Sequence, residues 1–91
     1  MSAVMVLALA GIVVLPGTAS AAEPGQICQV NTNAPGPGWS VFTNDGTYYL
    51  NYPQAFHING YAGNTYTGHG NNKPYGNILR VAIAQNTCRF P

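Results

Sequence analysis

Residues 39–52 read WSVFTNDGTYYLNY. Two runs rich in aromatic and β-branched residues, Trp39–Thr43 and Thr47–Tyr52, flank Asn44-Asp45-Gly46. Such side chains suit a pleated, half-buried surface. An Asp-Gly pair between two such runs is a hairpin signal, because glycine accepts φ > 0 without steric cost. Pro53 has no N–H to give to a ladder and ends the second run. The stretch predicts a β-hairpin. Tyr48 and Tyr49 are adjacent in its return strand and must face opposite sides.

The reading extends both ways from this hairpin. Upstream, Gln26–Asn31 alternates around Ile27, Cys28 and Val30, and Asn33–Gly38 (NAPGPG) excludes regular structure. Downstream, Ala55–Ile58 (AFHI) alternates, and Asn59-Gly60 is the strongest short hairpin turn in the chain. Tyr61–Thr67 is then the return strand, and Gly68–Gly76 (GHGNNKPYG) a loop. Asn77–Ala84 (NILRVAIA) is the most apolar strand, with Leu79, Val81 and Ile83 opposed to Ile78, Arg80, Ala82 and Ala84. No stretch after Ala22 has a helical period. Nine glycines, six prolines and ten asparagines cut residues 22–91 into short runs. Five or six short strands, with turns every 8–12 residues or so, predict an all-β fold, a small barrel or sandwich.

The segment before this differs in kind. Ala3–Leu15 is a run of 13 residues without a charged member. It is short of the roughly 20 residues needed to span a bilayer and matches the core of a signal peptide. Pro16-Gly17 breaks it, and small residues follow. Cleavage after Ala21 would use Ala19 and Ala21, and cleavage after Ala22 would use Ser20 and Ala22. No Lys or Arg precedes the run. The expected organisation is a signal peptide at 1–21 and one domain at 22–91, secreted and with no stable membrane insertion after cleavage.

Cysteine usage agrees with export. Cys28 and Cys88 lie near the two ends of the domain, and two cysteines allow one intramolecular bridge. Closing about 60 residues stabilises by roughly 4 kcal/mol in chain-entropy terms. That is a large share for a domain of this size, which buries only about 60% of its unfolded surface.

The whole chain of 91 residues has three basic and two acidic residues. This leaves no electrostatic footprint for nucleic acid. A glycosidase needs two carboxylates flanking the bond, and the only pair is Glu23, near the start of the domain, and Asp45, which the Asn44-Asp45-Gly46 turn explains, so that chemistry is not expected. A Ser40–His57–Asp45 triad can be written, but no nucleophile-elbow motif supports it. His57 and His69 have no metal-ligand spacing. His57 is expected on a solvent face and His69 in an exposed loop. Neither a cofactor nor a catalytic role is expected.

Several segments resemble bacterial SH3-type domains. Val30–Gly38 (VNTNAPGPG), followed by Trp39-Ser40-Val41-Phe42, is similar to the opening strand and loop of that family. Phe56–Tyr61 (FHINGY) resembles its central hairpin, and Gly76–Arg80 (GNILR) takes the place of its closing strand. The likeness covers nearly all of residues 22–91. It departs from the family at Asn33, where an arginine is usual, and at Asn77, in place of the closing aromatic. The resemblance implies an SH3-like barrel and a non-enzymatic binding module, monomeric, for cell-wall peptide or glycan.

The aromatics are the candidate ligand contacts. Trp39, Tyr48, Tyr49, Tyr52, Tyr66 and Tyr75 are expected to line the groove, with asparagines supplying neutral hydrogen bonds. The competing use of these rings is the core, which Trp39, Phe42, Phe56 and half of the tyrosines would fill. A second expectation, of another class, is a small secreted effector: an antimicrobial, a toxin or a protease inhibitor presenting Asn33–Gly38 or Gly68–Gly76.

Overall fold

The computed structural model describes residues 21–91, so the expected leader lies outside the described residues except for Ala21. Six strands form: β1 (Ile27–Gln29), β2 (Trp39–Thr43), β3 (Gly46–Leu50), β4 (Ala55–Ala62), β5 (Thr65–Gly70) and β6 (Gly76–Leu79). They pair antiparallel in one sheet of order β1-β4-β5-β6-β2-β3. The all-β reading with one disulfide holds.

The β2–β3 hairpin forms where the sequence places it. Thr43 pairs with Gly46 and Trp39 with Leu50. Gly46 has φ +139°, a conformation that L side chains rarely adopt. The Thr43 hydroxyl donates to the Gly46 carbonyl (2.9 Å) and accepts from the Asp45 N–H (3.1 Å), closing the turn.

The next hairpin turns four residues later than expected. β4 runs through Asn59-Gly60, and the register shifts between Ile58 and Gly60, leaving Asn59 exposed as a bulge. The chain turns at Gly63-Asn64 instead, with Gly63 at φ +61°. Packing decides between the two sites. The later turn pairs Tyr61 with Tyr66 and brings Phe56, Ile58 and Tyr66 into one core. Gly63→Ala is therefore expected to cost about 1–2 kcal/mol, the penalty for a left-handed L residue. Gly60→Ala places its methyl 3.2 Å from the Thr67 hydroxyl, a side-chain atom that need give by only a few tenths of an ångström, and should cost under about 1 kcal/mol. Denaturant titration of both variants gives the order.

β5 continues through His69 to Gly70, so the expected loop at 68–76 shrinks to residues 71–75. The expected long final strand is also shorter. β6 stops at Leu79, a 3₁₀ turn covers Arg80–Ala82, and Ile83 bridges to Val30. The reason is packing. Ala82 and Ile83 are neighbours and both buried, while Val81 is 65% exposed. A strand cannot bury two adjacent residues on one face, but a tight turn can.

A second 3₁₀ turn, Gln85–Thr87, leads to Cys88. Cys88 is bonded to Cys28 of β1, with their Cα atoms 4.1 Å apart. The bridge ties β1 to the segment beyond the last strand. Arg89 runs along the free side of β1, exchanging both backbone hydrogen bonds with Ile27 (2.8 and 3.1 Å).

One core results. Cys28, Val30, Val41, Leu50, Phe56, Ile58, Tyr66 and Ile78 come from β1–β6 and the bridge after β1, and Ala22, Ala82 and Ile83 complete it. Trp39, Tyr48 and Cys88 pack against it. The inward positions of β5 read Tyr66, Gly68, Gly70, all buried. The two glycines leave room for the Phe56 ring and for Leu50.

Candidate binding face

Strand alternation sorts the predicted aromatics. Tyr48 is opposite Val41 and turns inward. Its hydroxyl donates to the Pro74 carbonyl (2.9 Å) and accepts from the Gly70 N–H (3.1 Å). Trp39, opposite Leu50, packs on the core, and its indole N–H donates to the Asn31 carbonyl (2.9 Å). Tyr66 is fully buried. Its ring lies 5.3 Å from the Arg80 guanidinium. These three rings hold the fold, and Tyr66 in particular has no surface to offer a ligand. Tyr52 is exposed in the turn after β3. Tyr49 and Tyr75 are exposed on the outer face of the sheet. The six residues thus line no common groove.

The structure assembles a different set on that outer face. Phe42 lies opposite Thr47 on β3 and Asn77 on β6, and Asn77 lies opposite Thr67 on β5. Thr47, Phe42, Asn77 and Thr67 form a straight row across four strands. At a strand spacing of about 4.8 Å, the row is roughly 14 Å long. Phe42 was a core candidate, yet it is 52% exposed. Val41 beside it is buried, and the two must face opposite ways. Tyr49 lies opposite Ser40 on this face, diagonal to Phe42 and within aromatic reach.

An open depression of about 210 Å³ sits along the row, lined by Phe42, Thr43, Asn44, Thr67, Tyr75, Gly76 and Asn77. Tyr75, 63% exposed, forms its wall. That ring and His69 meet edge to face at 4.8 Å between centroids, and His69 stacks on His57 at 4.7 Å with the planes 7° apart. The two histidines are cross-strand partners. His57 therefore packs on His69 instead of standing free, and His69 belongs to a strand. The His57 Nε2–H donates to the Asn71 side-chain oxygen (2.5 Å), and the His69 Nδ1–H to the Gly70 carbonyl (2.7 Å). Both acceptors are carbonyl-type oxygens, which fixes the nitrogens as donors. The Asn77 amide donates to the Thr65 hydroxyl (3.1 Å), which ties the amide to β5.

The face carries rings, amides and hydroxyls, with no Asp or Glu among the row or the lining residues. Among the described residues no group of three or more His, Cys, Asp or Glu is close enough to hold a metal ion. Ser40 on β2 is separated from His57 on β4 by β6 and β5, and Asp45 lies in the β2–β3 turn. The triad that can be written from the sequence is not assembled.

Phe42, Thr67, Asn77, His57 and His69 were not legible as a set. The Val41–Phe42 adjacency was the available signal, since one of the two must point out. The His57–His69 pairing follows only once the turn is placed at Gly63-Asn64. Compared with known proteins, the chain matches no family model, no curated protein and no solved structure.

Proposed function

We propose that the domain is a secreted, non-enzymatic binding module that holds a neutral, polar, extended polymer across its outer sheet face. The ligand class is cell-wall glycan or peptide. The observation that carries this is the aromatic and amide row Thr47–Phe42–Asn77–Thr67, walled by Tyr75. Exposed ring faces stack on sugar rings or on the flat peptide unit, while amide and hydroxyl groups meet hydroxyls and carbonyls. A row that crosses strands suits a linear ligand. The SH3-type resemblance supports the ligand class, and the disulfide supports an oxidising, extracellular setting.

The test is sedimentation with purified peptidoglycan at low and high salt. Wild type is expected to co-sediment equally at both, because five charges spread over the chain leave little for salt to screen. Phe42→Ala and Tyr75→Ala each remove an exposed ring without opening the core. Each is expected to weaken binding about tenfold or more, as loss of a buried aromatic contact in a complex does. Tyr52→Ala, away from the row, should bind as wild type. Binding that survives the Phe42→Ala, Tyr75→Ala double variant overturns the assignment of this face. No binding by wild type overturns the ligand class and favours the effector alternative.

A further inference from the structure

Ala22 follows the first of the two cleavage positions that the sequence offers, and it is one of the most enclosed residues in the fold. It is fully buried and belongs to the core cluster, although Ala21 before it and Glu23 after it are exposed. Three side chains converge on its backbone. Its nitrogen donates to the Gln85 side-chain oxygen (2.8 Å) and to the Tyr66 hydroxyl (3.2 Å). Its carbonyl accepts from the Tyr61 hydroxyl (2.5 Å). The Gln85 amide also donates to the Tyr66 hydroxyl (3.0 Å), so the two acceptors brace each other.

Two acceptors on one backbone nitrogen are more than an amide needs. An amide N–H has a single hydrogen and here divides it. An α-ammonium has three and gives each acceptor its own, as a charge-assisted bond.

We infer that the chain is matured by hydrolysis of the Ala21–Ala22 peptide bond, and that the new amino group of Ala22 docks into the Tyr66–Gln85 socket as a structural lock. A signal-peptidase-type enzyme supplies the catalysis and water the atoms. Its oxygen stays on the new Ala21 carboxylate, and Ala22 leaves as the amine, protonated at neutral pH. Cleavage one residue later would remove a buried residue and all three hydrogen bonds. The inference shares with the proposed function the premise of export, but not the ligand or the face.

Among the described residues the core cluster lies within 22–91, so the test uses that chain, released from a cleavable fusion partner with Ala22 first. Three comparators follow: the same chain acetylated at Ala22, a chain extended to begin at Ser20, and one beginning at Glu23. The free-amine form is expected to melt highest. Acetylation and extension should each lower Tm by about 4–8 °C, the effect of one lost hydrogen bond in a domain this small. The Glu23 form should fall further. Gln85→Ala should abolish the difference between the free and acetylated chains. Equal Tm for the free, acetylated and extended chains overturns the lock. Export of the full precursor from a bacterial host, read by intact mass, tests the cut: a product beginning at Ala22 is expected, and one beginning at Glu23 overturns the assignment. Peptidoglycan binding plays no part in either readout, so failure here is separable from failure of the binding face.

Discussion

Full reduction of the Cys28–Cys88 bridge is expected to lower Tm on the order of 15–30 °C, the combined effect of a large loop-closure term and a small domain. The bridge spans 60 residues of sequence. Constraining a loop of that size in the unfolded chain is worth roughly 4 kcal/mol. A chain of about 70 residues has a total stability of only about 4–10 kcal/mol at ordinary per-residue values. One bond therefore accounts for a large part of the whole. The native-state contacts it organises add to this. Ile27 pairs with Arg89, the Gln29 N–H donates to the Thr87 hydroxyl (2.9 Å), and Ala22 reaches Gln85. All of these join the start of the domain to its end, and all rely on the two ends being held together. Cys28 is fully buried, so the reductant acts through opened states and the sample must be brought to equilibrium. The Cys28→Ala, Cys88→Ala double variant provides the same comparison without reductant. Its Tm should lie near that of the reduced wild type. A double variant as stable as the oxidised protein would show that the end-to-end contacts suffice alone.

The sequence made some of this fold legible and hid other parts, for physical reasons. The β2–β3 hairpin was readable because its signals are local: two β-rich runs and a glycine whose φ is positive in the turn. The disulfide was readable because two cysteines leave one pairing. The turn of the β4–β5 hairpin was not. Asn59-Gly60 is a strong local signal, but a turn there pairs Ile58 with Tyr61 and scatters the residues that in fact share the core. Six β4–β5 pairs, set on both sides of Asn59, outweigh one favourable dipeptide, and the dipeptide becomes a bulge. The end of the final apolar run was hidden for a similar reason. NILRVAIA alternates well on paper, but Ala82 and Ile83 are both needed in the core.

The binding face inherits these errors. Tyr48, Tyr66 and Trp39 were picked for their chemistry, and they serve the interior. Their polar ends are satisfied by Pro74, Gly70, Gln85, Ala22 and Asn31, none of which is close in sequence except for Asn31, eight residues before Trp39. Such partners cannot be guessed without the topology. Tyr49 and Tyr75 were picked on the same grounds and do stand outside. Phe42 was the instructive miss, because an apolar residue in a strand is assigned to the core by default, and only its parity with Val41 says otherwise.

Gly68→Ala is expected to be the most damaging alanine substitution among the described glycines, at about 3 kcal/mol or more. Gly68 lies opposite Ile58 on one side and Gly76 on the other. A Cβ at Gly68 would fall on the His57 carbonyl oxygen and 2.8 Å from Phe56 Cε2. Ordinary carbon contacts need about 3.5–4.0 Å. Neither neighbour is free to retreat. The His57 carbonyl belongs to the β4 backbone, and the Phe56 ring is fully buried. Gly76→Ala meets the same obstacle on the other side, with the Phe42 carbonyl oxygen at 2.5 Å and Val41 Cγ1 at 2.9 Å. Gly70→Ala is the control. Its methyl would meet Leu50 Cδ2 at 3.1 Å and Lys73 Cγ at 3.4 Å, side-chain atoms that need give by only a few tenths of an ångström, with no backbone in the way. The expected order of destabilisation in denaturant titration is Gly68→Ala, then Gly76→Ala, then Gly70→Ala, with the last within about 1.5 kcal/mol of wild type. Equal cost at Gly68 and Gly70 would mean that β4, β5 and β6 do not approach as closely as described. The point bears on the outer face as well. Thr67 precedes Gly68, and Tyr75 and Asn77 flank Gly76. The close approach that requires glycine on the inside therefore sets the spacing of Thr67, Asn77 and Tyr75 on the outside. A Gly76→Ala protein that still folds should bind peptidoglycan more weakly than its residual stability accounts for, measured at a temperature where it is fully folded.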